Sequence, residues 1–323
     1  MATSETLDKG GADEGQVSDD EVEAQVGLRY TLKQVRKDTT ARVGLLVIGI
    51  VTAIAVFAWI DYSVLDYAIA EQFLYHPERD GTRQLLPPVG MENQFGDGIM
   101  KHPLGTDHRG RDIFVRILYG TRVAITVGFI ATTIGFVGGT LIGATAGYYG
   151  GWVDDVLQRV TETIYAIPFL VLVIAFMAAF GRDLTFAMVG VGIVSIPVFN
   201  RLIRSRVFSV REEEYIEAAK AAGVKDHKII LRHIIPNSFA PVLVQATLQI
   251  GFSILVVAGL SFLGFGAQPP TPSWGQMLST SRGYMLPAPT FSIWPGLAIL
   301  ITVVAFNLFG DGLQDALDPR IDN

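Results

Sequence analysis

The chain has 323 residues, half of them hydrophobic and only 17% charged, where an average soluble domain carries about 25% charged residues. Charge-poor runs of that extent point to a polytopic membrane protein, and the absence of cysteine excludes disulfides, iron–sulfur clusters and thiolate zinc sites. The formal net charge of −6 hides an asymmetry. Glu5, Asp8, Asp13, Glu14, Asp19, Asp20, Glu21 and Glu23 crowd a stretch with few apolar residues, which reads as a solvated acidic tail.

Residues 1–42 join that tail to a basic juxtamembrane segment holding Arg29, Lys33, Arg36, Lys37 and Arg42. The first apolar run starts only at Val43, too late for a cleavable signal peptide, so it is expected to stay as an anchor. A spanning helix needs roughly 20 mostly apolar residues, and six segments qualify. Val43–Ile60 is free of charge and stops at Asp61; the loop 61–122 follows. Val123–Tyr149 is rich in glycine, and its Gly135, Gly139, Gly143 and Gly147 repeat at a spacing of four that lets helices approach closely. Packing within one bundle is favoured over a special dimer seam. Thr161–Phe180 carries Pro168, and Leu184–Phe199 contains Pro197 and extends into Arg201–Ile203. Pro241–Phe265 and Phe291–Phe309 complete the set. Unpaired backbone groups are not tolerated in lipid, so the fold class is all-α.

Lys and Arg near helix ends set orientation. The basic segment before Val43 shares a side with the loop 201–239, which holds Arg201, Arg204, Arg206, Arg211, Lys220, Lys225, Lys228 and Arg232. Both are read as cytoplasmic, with the tail 311–323 on the same side and residues 123–310 as the core of the bundle. The loop 61–122 then lies outside despite Arg79, Arg83, Lys101, Arg109, Arg111, Arg116 and Arg122. Loops of about sixty residues translocate largely regardless of charge. Within it, Ile113, Phe114, Ile117 and Leu118 share a face opposite Arg109, Asp112 and Arg116, the pattern of a helix lying in the membrane interface.

Tyr215–Asn237, YIEAAKAAGVKDHKIILRHIIPN, is a polar island between apolar segments. Tyr215, Ala218, Ala219 and Ala222 fall on one helical face whose small side chains make it shallow. Gly223 is a helix C-terminal signal. A second helix is expected near Lys225–Asp226, capped by Asp226, with Ile229, Ile230, Ile234 and His233 on one face and Pro236 ending it or marking the next span.

Glu217, Ala218, Ala219 and Gly223, followed by Ile234, Ile235 and Pro236, closely resemble the "EAA" loop of ABC-importer permeases. HPLGTDHRGRDIFVRILYGTR over His102–Arg122, LSFLGFGAQPPTPSWG over Leu260–Gly275, Trp294–Gly296 and Asn307–Arg320 resemble permeases of the dipeptide, oligopeptide and nickel group. Within that group the pattern is similar to the second permease, the one with the GTD–GRD stretch. Glu162 departs from it, since aspartate is expected there; a local pair with Arg159 is the expected role.

The resemblance implies a type I ABC-importer permease bundle of six transmembrane helices in the cell membrane. It implies an ATPase-coupling site at Glu217, Ala218, Ala219, Gly223, Ile235, Pro236 and Asn237. The implied partners are a second homologous permease, two ABC ATPase subunits, an extracytoplasmic substrate-binding protein and membrane lipid, with no nucleic acid and no cofactor. The implied solute is a di- or oligopeptide, with nickel or another small solute as the alternative. His102 and His108 alone seldom satisfy a metal. The chain lacks a G-x-x-x-x-G-K-[ST] run, so ATP hydrolysis belongs to other subunits and the chain is not an enzyme. The rival of a different class is an ion-coupled secondary transporter, which calls for buried charges or discontinuous helices near the midplane.

Overall fold

The computed structural model describes residues 34–317. In chain order these form α1 (Thr39–Ser63), α2 (Ala68–Phe73), the two-residue strands β1 (Glu92–Asn93) and β2 (Gly96–Asp97), α3 (Ile113–Tyr149), α4 (Gly151–Ala166) and α5 (Phe169–Phe180). They continue as α6 (Leu184–Val210), α7 (Glu214–Ala221), α8 (Asp226–Ile229), a π-helical turn (Ile230–Ile234), α9 (Ile235–Asn237), α10 (Phe239–Phe262), α11 (Trp274–Ser281), a 3₁₀ turn (Arg282–Tyr284) and α12 (Thr290–Leu317). The strands β1 and β2 pair antiparallel at the tip of the long loop.

Among the described residues, α1, α3, α6, α10 and α12 are each long and apolar enough to cross a membrane. A sixth crossing exists only if α4 and α5 count as one span, and they meet at 93°. The expected third span, Thr161–Phe180, is therefore not a straight helix. Pro168 disfavours helical backbone at Ile167, which is extended (φ −86°, ψ 133°), and so separates an amphipathic helix from an apolar one. The fourth span runs past Phe199 to Val210, because Arg201, Arg204 and Arg206 continue the helix beyond its apolar part.

The centre of the bundle is the pairing of α3 with α6. Built Cβ atoms on Gly139 and Gly143 would lie 2.5 Å from Phe199 Cβ and 2.3 Å from Ile203 Cγ2. The same face continues through Gly135 against Ser195 and Gly147 against Val207. The four-residue glycine stripe is thus consumed inside the chain. Small residues here let the two backbones meet, and dispersion contacts replace lipid. Around this seam, α1 leans on α12, where Gly44 meets the carbonyl of Ala305 and Gly312 meets Ala41.

At the Ile113 end of α3 the long loop folds onto the bundle. The segment expected to lie flat in the interface is instead the first turns of α3. Asp112 caps it, accepting from the Val115 amide at 2.9 Å, and Ile113 and Arg116 are buried rather than on opposed faces. Arg116 Nη1 donates to the carbonyls of Pro77 (2.6 Å) and Pro270 (3.2 Å), and Nη2 to Gln276 Oε1 (3.3 Å). Asp61, where the first apolar run ends, is fully buried and accepts from Tyr119 Oη at 2.5 Å and from the Ile69 amide at 2.9 Å. Arg111 and Arg116 face Asp107, and Arg109 faces Asp80. Several cations that conflict with the simple charge rule are thus balanced inside their own loop. Trp274 and Gly275 close this end: the indole donates to the Ile117 carbonyl at 3.0 Å, and a Cβ on Gly275 would meet the Ala258 carbonyl at 2.4 Å.

Candidate functional site

The opposite end of the bundle carries a helical hairpin. Helix α7 opens with Glu214 and Glu217 in its first turn and has Lys220 in its last, an order that complements the helix dipole. It stops in a Schellman arrangement: the Val224 amide donates to Ala219 O (3.1 Å) and the Gly223 amide to Lys220 O (2.9 Å). Gly223 takes φ +75°, the left-handed conformation for which glycine is least penalised. The second limb starts at Asp226, but Asp226 does not cap it. Lys225 stands at the cap, and the Asp226 carboxylate accepts instead from Tyr148 Oη of α3 at 2.9 Å.

The inward faces of both limbs bury Ile216, Ile229, Ile230 and Ile234 against Ala144, Tyr148, Phe199, Ile203, Val207 and Val242. This cluster seats the hairpin directly on the α3–α6 seam. Polar contacts reinforce it: Arg211 Nη1 donates to Gly147 O at 2.9 Å, and Lys220 sits 5.1 Å from the Tyr148 ring centroid. The phenol of Tyr215 is held above its ordinary pKa, first by loss of water and then by the Glu213 charge.

Of the residues singled out in the sequence, Glu217, Ala218 and Gly223 are exposed and Ala219 is half-buried, so the first limb offers a shallow outward face. Nothing lies within 4 Å of a Cβ built on Gly223, which leaves open space over it. Ile235, Pro236 and Asn237 belong to the second limb. Ile235 is half-buried against the isoleucine cluster, while Pro236 and Asn237 are exposed, and Asn237 Nδ2 donates to His233 O at 2.7 Å. This second group follows the π turn Ile230–Ile234, an irregularity frequent at functional sites, and leads directly into α10.

Leu231 of the π turn was not singled out in the sequence; it is 57% exposed, and Tyr215 of the shallow face is 44% exposed. Arg204 grips Asp154 of α4 through Nε (2.6 Å) and Nη2 (2.5 Å), coupling the amphipathic helix to α6. Asp154 and Arg204 are fifty residues apart and Tyr148 and Asp226 seventy-eight, so no local spacing could reveal either contact. The local Arg159–Glu162 pair does not form among the described residues; Glu162 is exposed, and Asp154 is the carboxylate that is held.

The two loop histidines part company. His102 Nδ1 lies 2.7 Å from Asp112 Oδ2, whereas His108 packs against both Tyr284 and Phe291, whose rings also touch each other. No group of three or more His, Cys, Asp or Glu side chains is placed to hold a metal among the described residues.

Residues 139–323 match the family described as "Binding-protein-dependent transport system inner membrane component". The chain is 44% identical over 293 residues, 91% of its own length and 90% of the other, to the dipeptide transport system permease protein DppC of Alkalihalophilus pseudofirmus. It is 45% identical over 244 residues to the glutathione transport system permease protein GsiD of Pectobacterium atrosepticum, covering 74% of this chain and 81% of that one. The fold resembles an inward-facing MetNI methionine ABC transporter chain with a TM-score of 0.52 at 20% identity, over 64% of this chain and 98% of that one. With its multi-pass bundle and polar hairpin, the chain belongs to the binding-protein-dependent transport system inner membrane components, and is a permease subunit of an ABC importer rather than an enzyme.

Proposed function

We propose that this permease admits di- or oligopeptides, and that its α7–α8 hairpin receives the movement of an ABC ATPase. The carrying observation is the hairpin's two-faced construction. Its inner face is locked by four buried isoleucines onto α3 and α6, while Glu217, Ala218 and Gly223 stand free on the outside. A rigid knuckle of this kind transfers a push from a soluble subunit to the membrane helices without dissipating it in a loop. Gly223, Ala218 and Ala219 keep the outer face low enough for a groove to close over it, and Ile235, Pro236 and Asn237 pass the displacement to α10.

The start of α1, the end of α12 and the hairpin share one end of the bundle: Val35 and Ala41 pack with Ala316, and Gln314 and Leu317 line a cleft together with Arg206 and Asn237. Its basic residues support a cytoplasmic position for this end, with both termini inside. One hairpin per chain supports pairing with a second permease, each chain docking one ATPase. The solute follows the named relatives, a dipeptide and a glutathione permease, and would be delivered by a binding protein on the loop side.

The chain has no native cysteine, so Ala218→Cys creates a unique attachment point. In membranes co-expressing the ATPases, a cysteine-directed photocrosslinker at this position should capture an ATPase subunit. Capture only of lipid or of the second permease would overturn the coupling assignment. Competition of labelled dipeptide uptake by unlabelled dipeptide but not by nickel would support the peptide reading.

A further inference from the structure

We propose that the cleft in the long loop is a binding site for a carboxylate carried by a small solute, with Arg83, Lys101 and Arg111 as its donors. The cleft measures about 450 Å³ and lies between residues 75–83 and 99–112, a size suited to a small ligand. Its charges do not balance internally. Asp112 is engaged by His102 at 2.7 Å and by the Val115 amide, and Asp80 lies 3.6 Å from Arg109. Asp107, beneath it, holds Arg111 Nε at 2.7 Å, and Arg79 is paired with Glu71. Arg83 and Lys101 have no ion-pair partner among the described residues, and Lys101 is steadied 5.3 Å from the Tyr75 ring centroid.

The decisive group is Arg111. Its side chain is 2% exposed and lines the cleft, yet Nη1 has no hydrogen-bond partner. A buried donor without an acceptor is costly, and a charged one more so. A guanidinium presents a planar fork that a carboxylate fills with two parallel bonds. Asp80 and Asp112 also line the cleft, so a singly charged carboxylate fits it better than a dianionic phosphate. The site rests on these charges alone, whereas taking a peptide as the carboxylate's carrier rests on the transport reading above.

The test is calorimetric titration of the full chain in lipid nanodiscs with dialanine, dialanine amide and acetate. Dialanine is expected to bind saturably and its amide not to bind. Arg83→Gln and Lys101→Gln, both at exposed positions, should each weaken dialanine by about tenfold, the loss of one charge-assisted bond. Acetate binding that depends on Arg83 and Lys101, without dialanine binding, would keep the carboxylate site and overturn the peptide as its carrier. The site itself is overturned if the amide binds as tightly as the acid, or if the double variant titrates like wild type. It is equally overturned if neither acid binds a chain whose cooperative thermal unfolding shows it folded. Because no uptake is involved, failure here would leave the coupling assignment standing.

Discussion

The Tyr148 hydroxyl donates a 2.9 Å hydrogen bond to Asp226 Oδ1, tying the last turn of α3 to the first turn of the hairpin's second limb. Apolar burial holds the hairpin down, and this bond, with that of Arg211 to the Gly147 carbonyl, adds a directional tie to the end of α3. Removing one such bond costs about 1 kcal/mol, enough to loosen the tie without unfolding. Tyr148→Phe should therefore lower the ratio of solute transported to ATP hydrolysed by about fivefold in proteoliposomes of the assembled transporter, with subunit association intact. An unchanged ratio would reduce the bond to a packing detail.

Gly223→Asp and Glu217→Lys are expected to abolish uptake while membrane insertion and chain abundance stay near normal. Gly223 faces open space, so the aspartate meets no clash within the chain and only the left-handed backbone opposes it, at about 1–2 kcal/mol. Its effect should therefore appear in ATPase association, read by co-purification. Retained uptake in both variants would remove the hairpin from the coupling path.

The α3–α6 seam gives the opposite outcome. A Cβ on Gly139 would lie 2.6 Å from the Ile196 carbonyl and 2.8 Å from the Asn200 amide, backbone atoms that cannot turn aside. Gly139→Ala should destabilise by about 1–3 kcal/mol, lowering the thermal unfolding midpoint in detergent, whereas Gly49→Ala, with nothing within 4 Å, should not. Equal midpoints would mean the two helices are not in close contact.

Asp154 and Arg204 make a two-point contact between α4 and α6. Replacing Arg204 leaves Asp154 enclosed without its partner, while replacing Asp154 leaves Arg204, 31% exposed, with water as its alternative. Asp154→Asn and Arg204→Gln should each cost about 1.5–3 kcal/mol, and the double variant less than their sum. Strict additivity in a thermal-unfolding cycle would show the pair to be uncoupled.

His108 predicts a pH effect. Loss of water around its stacked ring holds its pKa below the ordinary 6.5, outweighing the nearby Asp107 charge. The unfolded chain then binds a proton that the folded chain does not, so stability falls as pH drops below 6.5. His108→Gln should flatten that decline in unfolding measured between about pH 5 and 6.5; an identical slope would sink the assignment.

Linear sequence was sufficient for whatever depends on local chemistry. Charge-free runs located the five long apolar helices but not the amphipathic α4, Pro168 and Gly223 punctuated the chain, and isoleucines at helical spacing marked the buried side of Tyr215–Asn237. These signals are short-ranged because they come from backbone sterics and from the partition of side chains into lipid or water. Only the tertiary structure decided which faces meet. The glycines of α3 needed Phe199 and Ile203 opposite them to become a seam, and Asp226, legible as a cap, was taken by Tyr148 from another helix. It likewise turned Ile113–Leu118 from a surface helix into the start of α3, because Asp107 and the carbonyls of Pro77 and Pro270 are present to receive buried Arg116. Partners separated by fifty or more residues leave no periodic trace in one chain; the fold alone brings them into contact.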